Sequence, residues 1–275
     1  MKYKNIVGKA DFDRFKFKTW NIYAIIMIIL NRPKNSKYIY IGIRLVYNNT
    51  IYERGFNMIY SNERKLSLSG WLMKNNFTSY ETPLKLQKFL LFYEALTKVS
   101  GESPDFSHLR GYKKGPVFSN VWGDYTKERA SFNAAAQSAY DKNVESINVE
   151  RAKKCAFIVG TMTEQELSDL THQMNLWKSK ENRIMSGEYQ VDLDESDFNY
   201  SDEQLISTLN TICSTDMIES STIIPLDKKY FVFSKSDAEL LTEKHFDVLL
   251  TLSENEELHN PVFVEFDDEG RLLID

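Results

Sequence analysis

Thr82-Pro-Leu-Lys-Leu-Gln-Lys-Phe-Leu-Leu-Phe-Tyr93 is the stretch on which the reading of this chain turns. Threonine followed by proline marks a helix start. The hydroxyl can cap a free first-turn amide, and proline suits the first turn because its missing N–H costs nothing there. Leu84, Leu86, Phe89, Leu90, Phe92, Tyr93 and Leu96 then fall on nearly every side of the helix. A helix without a polar face belongs in the middle of a domain, covered all round. Gly101 and Pro104 end it.

Working outward, residues 61–74 carry Leu66, Leu68, Trp71 and Leu72 at amphipathic helical spacing, with Asn75, Asn76 and Ser79 following as a loop. Residues 108–115 are short and flanked by glycine, which predicts a strand or extended loop closed by the turn pair Gly115-Pro116. Val117, Val121, Trp122 and Tyr125 recur at helical spacing, and 149–162 form another helix with Ala152, Ala156, Phe157 and Val159. Thr163 and Glu166 make a capping box that opens a helix bearing Leu167, Leu170 and Met174.

Seven acids follow within 188–203: Glu188, Asp192, Asp194, Glu195, Asp197, Asp202 and Glu203. They predict a solvated connector with a short extended segment. Beyond it, 205–213 read as helix and 229–233 as strand. Ser236 and Glu239 read as a second capping box, opening a helix with Leu240, Leu241, Phe246, Leu249 and Leu250. Residues 262–266, a turn at 267–270 and residues 272–274 read as a β-hairpin. The predicted fold class is therefore mainly α. It comprises a compact helical domain with a small β element (58–187), an acidic connector (188–203), and a small α/β C-terminal region (204–275) that ends in the hairpin.

Charge is unevenly placed along the 275 residues. Residues 1–57 hold eleven Lys/Arg against three acids, a balance of +8, and the remaining 23 basic and 36 acidic residues leave −13. So acidic a body lacks the footprint of a DNA-binding protein, and it suits a basic protein partner. The apolar run at 22–30 is shorter than the about 20 residues needed to span a bilayer, so no membrane segment is expected. Three readings compete for 1–57: a basic membrane-surface arm, an extra pair of strands, or translated non-coding DNA. Ile, Asn, Lys and Tyr are what AT-rich codons spell in any frame, and Glu53-Arg54-Gly55 can be encoded by a purine-rich ribosome-binding sequence just before Met58. The expectation is that 1–57 is a non-native or disordered extension and that Met58 is the natural start.

Chemistry-bearing motifs are few. His108, His172, His245 and His259 form no i, i+4 pair and none neighbours a cysteine, so no metal is expected; no phosphate-cradling glycine loop appears, so no cofactor is expected either. Cys155 and Cys213, far apart and outside any CxxC pair, read as buried thiols in a reducing compartment. Two groups stand out. Lys113 and Lys114 sit beside the Gly115-Pro116 turn, as phosphate or acidic-partner binders or as solvated turn residues. Leu170-Thr171-His172 precedes Trp177, with His172 as a core histidine or a catalytic one.

These groups also carry a resemblance. Leu84-Lys85-Leu86-Gln87-Lys88, then Tyr112-Lys113-Lys114-Gly115-Pro116-Val117, then Leu170-Thr171-His172 with Trp177, occur in the order found in the Panacea, or SocA-like, antitoxin domain family, which the chain resembles over roughly 58–180. One extra lysine precedes the glycine, and Leu176 stands where the family often has proline before the tryptophan. The resemblance implies a mainly helical cytoplasmic antitoxin, not an enzyme, that neutralises a cognate toxin encoded in the adjacent gene by direct protein contact. It further implies carriage on prophages and other mobile elements, with the fifteen motif residues serving structure or toxin binding. The alternatives are an adaptor that delivers the toxin to a Clp-type protease, a phage or mobile-element DNA-binding regulator, a phage factor acting on a host protein, and an enzyme using His172 with Asp169.

Overall fold

The computed structural model of the chain describes residues 58–267 and 269–274. The expectations for 1–57 lie outside the described residues.

Helix α1 (Glu63–Asn75) begins where the Asn62 side chain accepts the Lys65 amide. The loop expected at Asn75, Asn76 and Ser79 is replaced by a short helix, α2 (Phe77–Glu81). Asn76 caps it by accepting the Ser79 amide, so an asparagine read as a loop residue starts a helix instead. The central helix α3 (Pro83–Val99) follows, and every residue from Leu84 to Thr97 is buried. Thr82 takes the cap position without capping: its hydroxyl donates back to the Thr78 carbonyl, and Pro83 alone supplies the start signal.

Strands β1 (Leu109–Tyr112) and β2 (Gly115–Phe118) form an antiparallel hairpin, with Leu109 opposite Phe118 and Tyr112 opposite Gly115. The two-residue loop is Lys113-Lys114, so Gly115-Pro116 opens the second strand rather than forming the turn. Gly115, at φ +98, supplies the left-handed backbone that the tight return requires.

Helix α4 (Ser119–Lys127) carries Val121 and Tyr125 inward, while Val117 belongs to the strand before it. Helix α5 (Arg129–Asn143) was not anticipated. It packs against α1 through Phe132, Ala136, Ala139 and Tyr140, so closely that a Cβ on Gly70 would strike the Ala136 carbonyl. Helix α6 (Val149–Gly160) matches expectation. So does α7 (Glu164–Gln173), whose Thr163–Glu166 capping box forms in both directions. Short helices α8 (Asn175–Lys178) and α9 (Glu181–Met185) lead into β3 (Val191–Asp192), which pairs with β1 to make a three-stranded sheet in the order β2-β1-β3.

The reading of 188–203 as a solvated connector needs correction. Val191, Leu193 and Phe198 are buried in the main core, and Asp202 is 1% exposed. The Asp202 carboxylate accepts the amides of Asn175 (2.6 Å) and Leu176 (2.9 Å), satisfying two free donors at the start of α8. Charge alone suggested solvent; the alternating apolar residues decide otherwise.

The C-terminal part contains α10 (Tyr200–Ile212), α11 (Thr215–Ser220), β4 (Ser221–Leu226), β5 (Lys229–Ser234), α12 (Lys235–Ala238), α13 (Glu243–Ser253), β6 (Val262–Phe266) and β7 (Leu272–Ile274). The four strands lie in the order β4-β5-β6-β7, with β5 and β6 parallel and the other pairs antiparallel. Strand β4 was not anticipated; it is an edge strand, where Pro225 is tolerated. The Ser236–Glu239 capping box does not form. Ser234 caps α12, and Thr242 with His245 makes the box that opens α13. The terminal hairpin is as expected.

Among the described residues the protein is mainly α, with two small sheets. The larger core surrounds α3 and extends to Ile206, Cys213 and Val232; a second holds Phe231, Phe233, Leu249, Val262 and Val264. Strand β5 therefore serves both, Val232 facing one core and its neighbours the other. No helix among the described residues is long and apolar enough to cross a membrane.

Candidate functional site

Three sequence groups, separated by up to about ninety positions, meet at the β1–β2 hairpin. Gln87 and Lys88, one turn into α3, reach it from below. The Gln87 side-chain oxygen Oε1 accepts the Phe118 amide at 2.8 Å. Lys88 Nζ donates to the carbonyls of Lys114 (2.9 Å) and Pro116 (3.4 Å). From the other side, the Ser168 hydroxyl donates to the same Lys114 carbonyl at 3.2 Å, and Trp177 Nε1 donates to the Tyr112 carbonyl at 2.9 Å. The loop's backbone is thus held at Tyr112, Lys114, Pro116 and Phe118, leaving the Lys113 and Lys114 side chains exposed.

Gly115 is the narrow point of this arrangement. A Cβ there would strike Lys88 Nζ and approach Thr171 Oγ1 to 2.6 Å. Thr171 is fully buried, its hydroxyl donating to the Leu167 carbonyl one turn back. His172 lies flat on Trp177, ring centroids 3.9 Å apart, and its buried Nε2 has no hydrogen-bond partner among the described residues. Burial and the nearby Lys88 charge lower its pKa, so the neutral ring is favoured. Gln165 donates to Asp169, the acid paired with His172 in the enzymatic reading, at 2.8 Å.

Lys88 is the unusual group. It is 1% exposed and has no carboxylate partner among the described residues; its ammonium rests on carbonyl oxygens alone. Burial pushes its pKa down to about 7. Lys65, also 1% exposed, is compensated in the usual way, 2.5 Å from the buried Glu94 and 3.2 Å from Asp105.

A groove of about 470 Å³ opens beside the hairpin. Leu84, Gln87 and Lys88 form its floor, Tyr112, Lys113, Lys114 and Val117 one wall, and Pro83, Trp122 and Glu164 the rest. The motif residues therefore divide. Leu84, Gln87, Lys88, Tyr112, Lys113, Lys114 and Val117 line the groove. Gly115, Pro116, Thr171, His172 and Trp177 form its support, while Leu86 lies in the core and the half-buried Leu170 packs against it. Lys85 points elsewhere: it donates to Tyr230 Oη (3.1 Å) with its ammonium 4.7 Å above that ring, joining α3 to β5. No family model matches the chain, and neither does any curated protein or solved structure.

Trp122 and Glu164 were not singled out as site residues from sequence. Trp122 follows the inward-facing Val121 and is 37% exposed, so a tryptophan one step off the apolar stripe was the available signal. Glu164 reads only as a first-turn acid of α7. Both cysteines are buried and unpaired, and burial raises both thiol pKa values. Among the described residues no three His, Cys, Asp or Glu side chains gather as a metal site.

Proposed function

We propose that the chain is an antitoxin that acts in the cytoplasm, neutralising a cognate toxin by binding it rather than by catalysing a reaction. The observation that carries this reading is the hairpin. Gln87, Lys88, Ser168 and Trp177, drawn from three separate segments, all spend their side-chain hydrogen bonds on its backbone. A loop held that firmly presents a fixed surface, and rigid presentation lowers the ordering cost of association. The surface itself pairs apolar walls with an exposed tryptophan, a residue enriched at the energetic centres of protein interfaces, and its exposed lysines add charge that selects and steers a partner.

His172 supports a structural role in the same way. It is stacked on Trp177 and held neutral, and the Trp177 indole supports Tyr112. Under this reading His172→Ala loses stability in step with function, whereas an enzyme would lose function alone.

The test is co-expression with the product of the adjacent open reading frame. Growth rescue together with co-purification of the two proteins is the expected result. A toxic neighbour that is neither bound nor neutralised rules the reading out.

A further inference from the structure

Resting on the binding role proposed above, we infer that the partner enters the Leu84–Trp122 groove through a short acidic segment, in which an aromatic or aliphatic side chain sits beside an aspartate or glutamate. The apolar side chain fills the cavity against Leu84, Val117 and Trp122. The carboxylate meets the lysines at the hairpin.

Charge selects this occupant. Residues 58–275 carry a balance of −13, so most of the surface repels an acidic segment. The lining of the groove has the opposite balance, with Lys88, Lys113 and Lys114 against a single acid. Lys113 and Lys114 stand exposed on its wall and form no ion pair among the described residues, and Lys88 beneath them has no carboxylate. Glu164 is the one acid lining it. Two exposed lysines without an ion pair among the described residues, beside a cavity whose walls are apolar, favour an anion attached to an apolar group. A basic segment would meet like charge at close range.

Size is consistent with one anchoring side chain. About 470 Å³ lies at the smaller end of the range for cavities that take compact ligands. Trp122 supplies a broad apolar face at the rim, so the anchor gains contact area while its carboxylate stays near solvent-exposed lysines.

Selection of random peptides displayed on phage against the full-length chain tests this. Binding of the selected peptides is then measured by fluorescence anisotropy. Acidic-apolar winners are expected, with affinity falling roughly tenfold or more in Lys113→Glu/Lys114→Glu and in Trp122→Ser, less in Lys113→Ala/Lys114→Ala, and with added salt. Each variant is first checked for an unchanged melting curve, which the exposure of all three side chains predicts. Basic or uncharged winners, winners indifferent to both sets of variants, or no winners at all overturn the proposal. So does concentration-dependent self-association that the charge reversal abolishes, since the groove would then belong to a second copy. The same variants are scored for neutralisation of the adjacent gene product. Neutralisation that survives charge reversal removes the groove and leaves the antitoxin reading intact. Peptide binding by a chain that neutralises nothing does the reverse.

Discussion

Lys88 Nζ lies 2.9 Å from the carbonyl oxygen of Lys114, so a lysine at the buried centre of the protein fixes the tip of a surface hairpin. The geometry couples the core helix to the loop whose side chains face solvent. It also places an amine where water cannot reach it and no carboxylate among the described residues balances it, with its pKa pushed down to about 7 by burial.

A pH dependence follows. The ordinary lysine value is 10.5, so between about 7 and 10.5 the unfolded chain holds a proton that the native chain tends to release. Native stability therefore rises with pH in that window, and the penalty is fully present below it. Lys88→Met has no such group and should lose ground relative to the parent as pH rises from about 7 to about 8.5. Urea denaturation of both chains across that range checks this; parallel curves would show that Lys88 keeps its proton throughout.

Gly115→Ala should destabilise by about 1–3 kcal/mol, because alanine is strained at φ +98 and its methyl meets Lys88 and Thr171. Shortening the obstacle separates the two causes. In the Lys88→Ala background the same substitution should cost less, though not nothing, since the backbone strain persists. Equal costs in the two backgrounds would mean that Lys88 does not crowd Gly115.

Asp202→Ala strips the amides of Asn175 and Leu176 of their acceptor, which should cost about 2–4 kcal/mol. Asp202→Asn should cost less, because one oxygen still serves one amide. Chemical denaturation gives the magnitude. A loss below about 0.5 kcal/mol for the alanine variant would fit a surface acid and contradict the buried role.

Glu94→Gln leaves Lys65 buried with a weakened counter-charge. Glu94 is fully buried and accepts from both Lys65 (2.5 Å) and Arg64 (2.7 Å). The single change should cost about 3–5 kcal/mol, and Lys65→Met added to it should recover part of that, because the stranded cation is gone. A double variant no better than the single one would argue against stranded charge as the cause.

Legibility in the sequence was uneven, for physical reasons. The burial of α3 was readable because its apolar residues leave no polar face. The Thr163 capping box and the terminal hairpin were readable because their signals span only a few residues. Helix α5 was not, because Ala134, Ala135, Ala136 and Ala139 hide its packing face among weakly hydrophobic positions. The acidic segment misled because Asp202 is satisfied by backbone amides, which composition does not reveal. The site was legible as three groups of residues, but not as one place.

By itself the sequence determined where α3, α6 and α7 start, that α3 is central, and which short motifs stand apart from ordinary core and surface. Local preferences and apolar periodicity act over a few residues and need no knowledge of the chain's path. Only the tertiary structure decided that Lys88 reaches Lys114, 26 positions away, and that Trp177 reaches Tyr112, 65 positions away. It also decided that Lys85, three residues before Lys88, serves β5 rather than the groove. Such hydrogen bonds exist because packing around α3 brings distant segments to one spot, and no local pattern encodes that meeting.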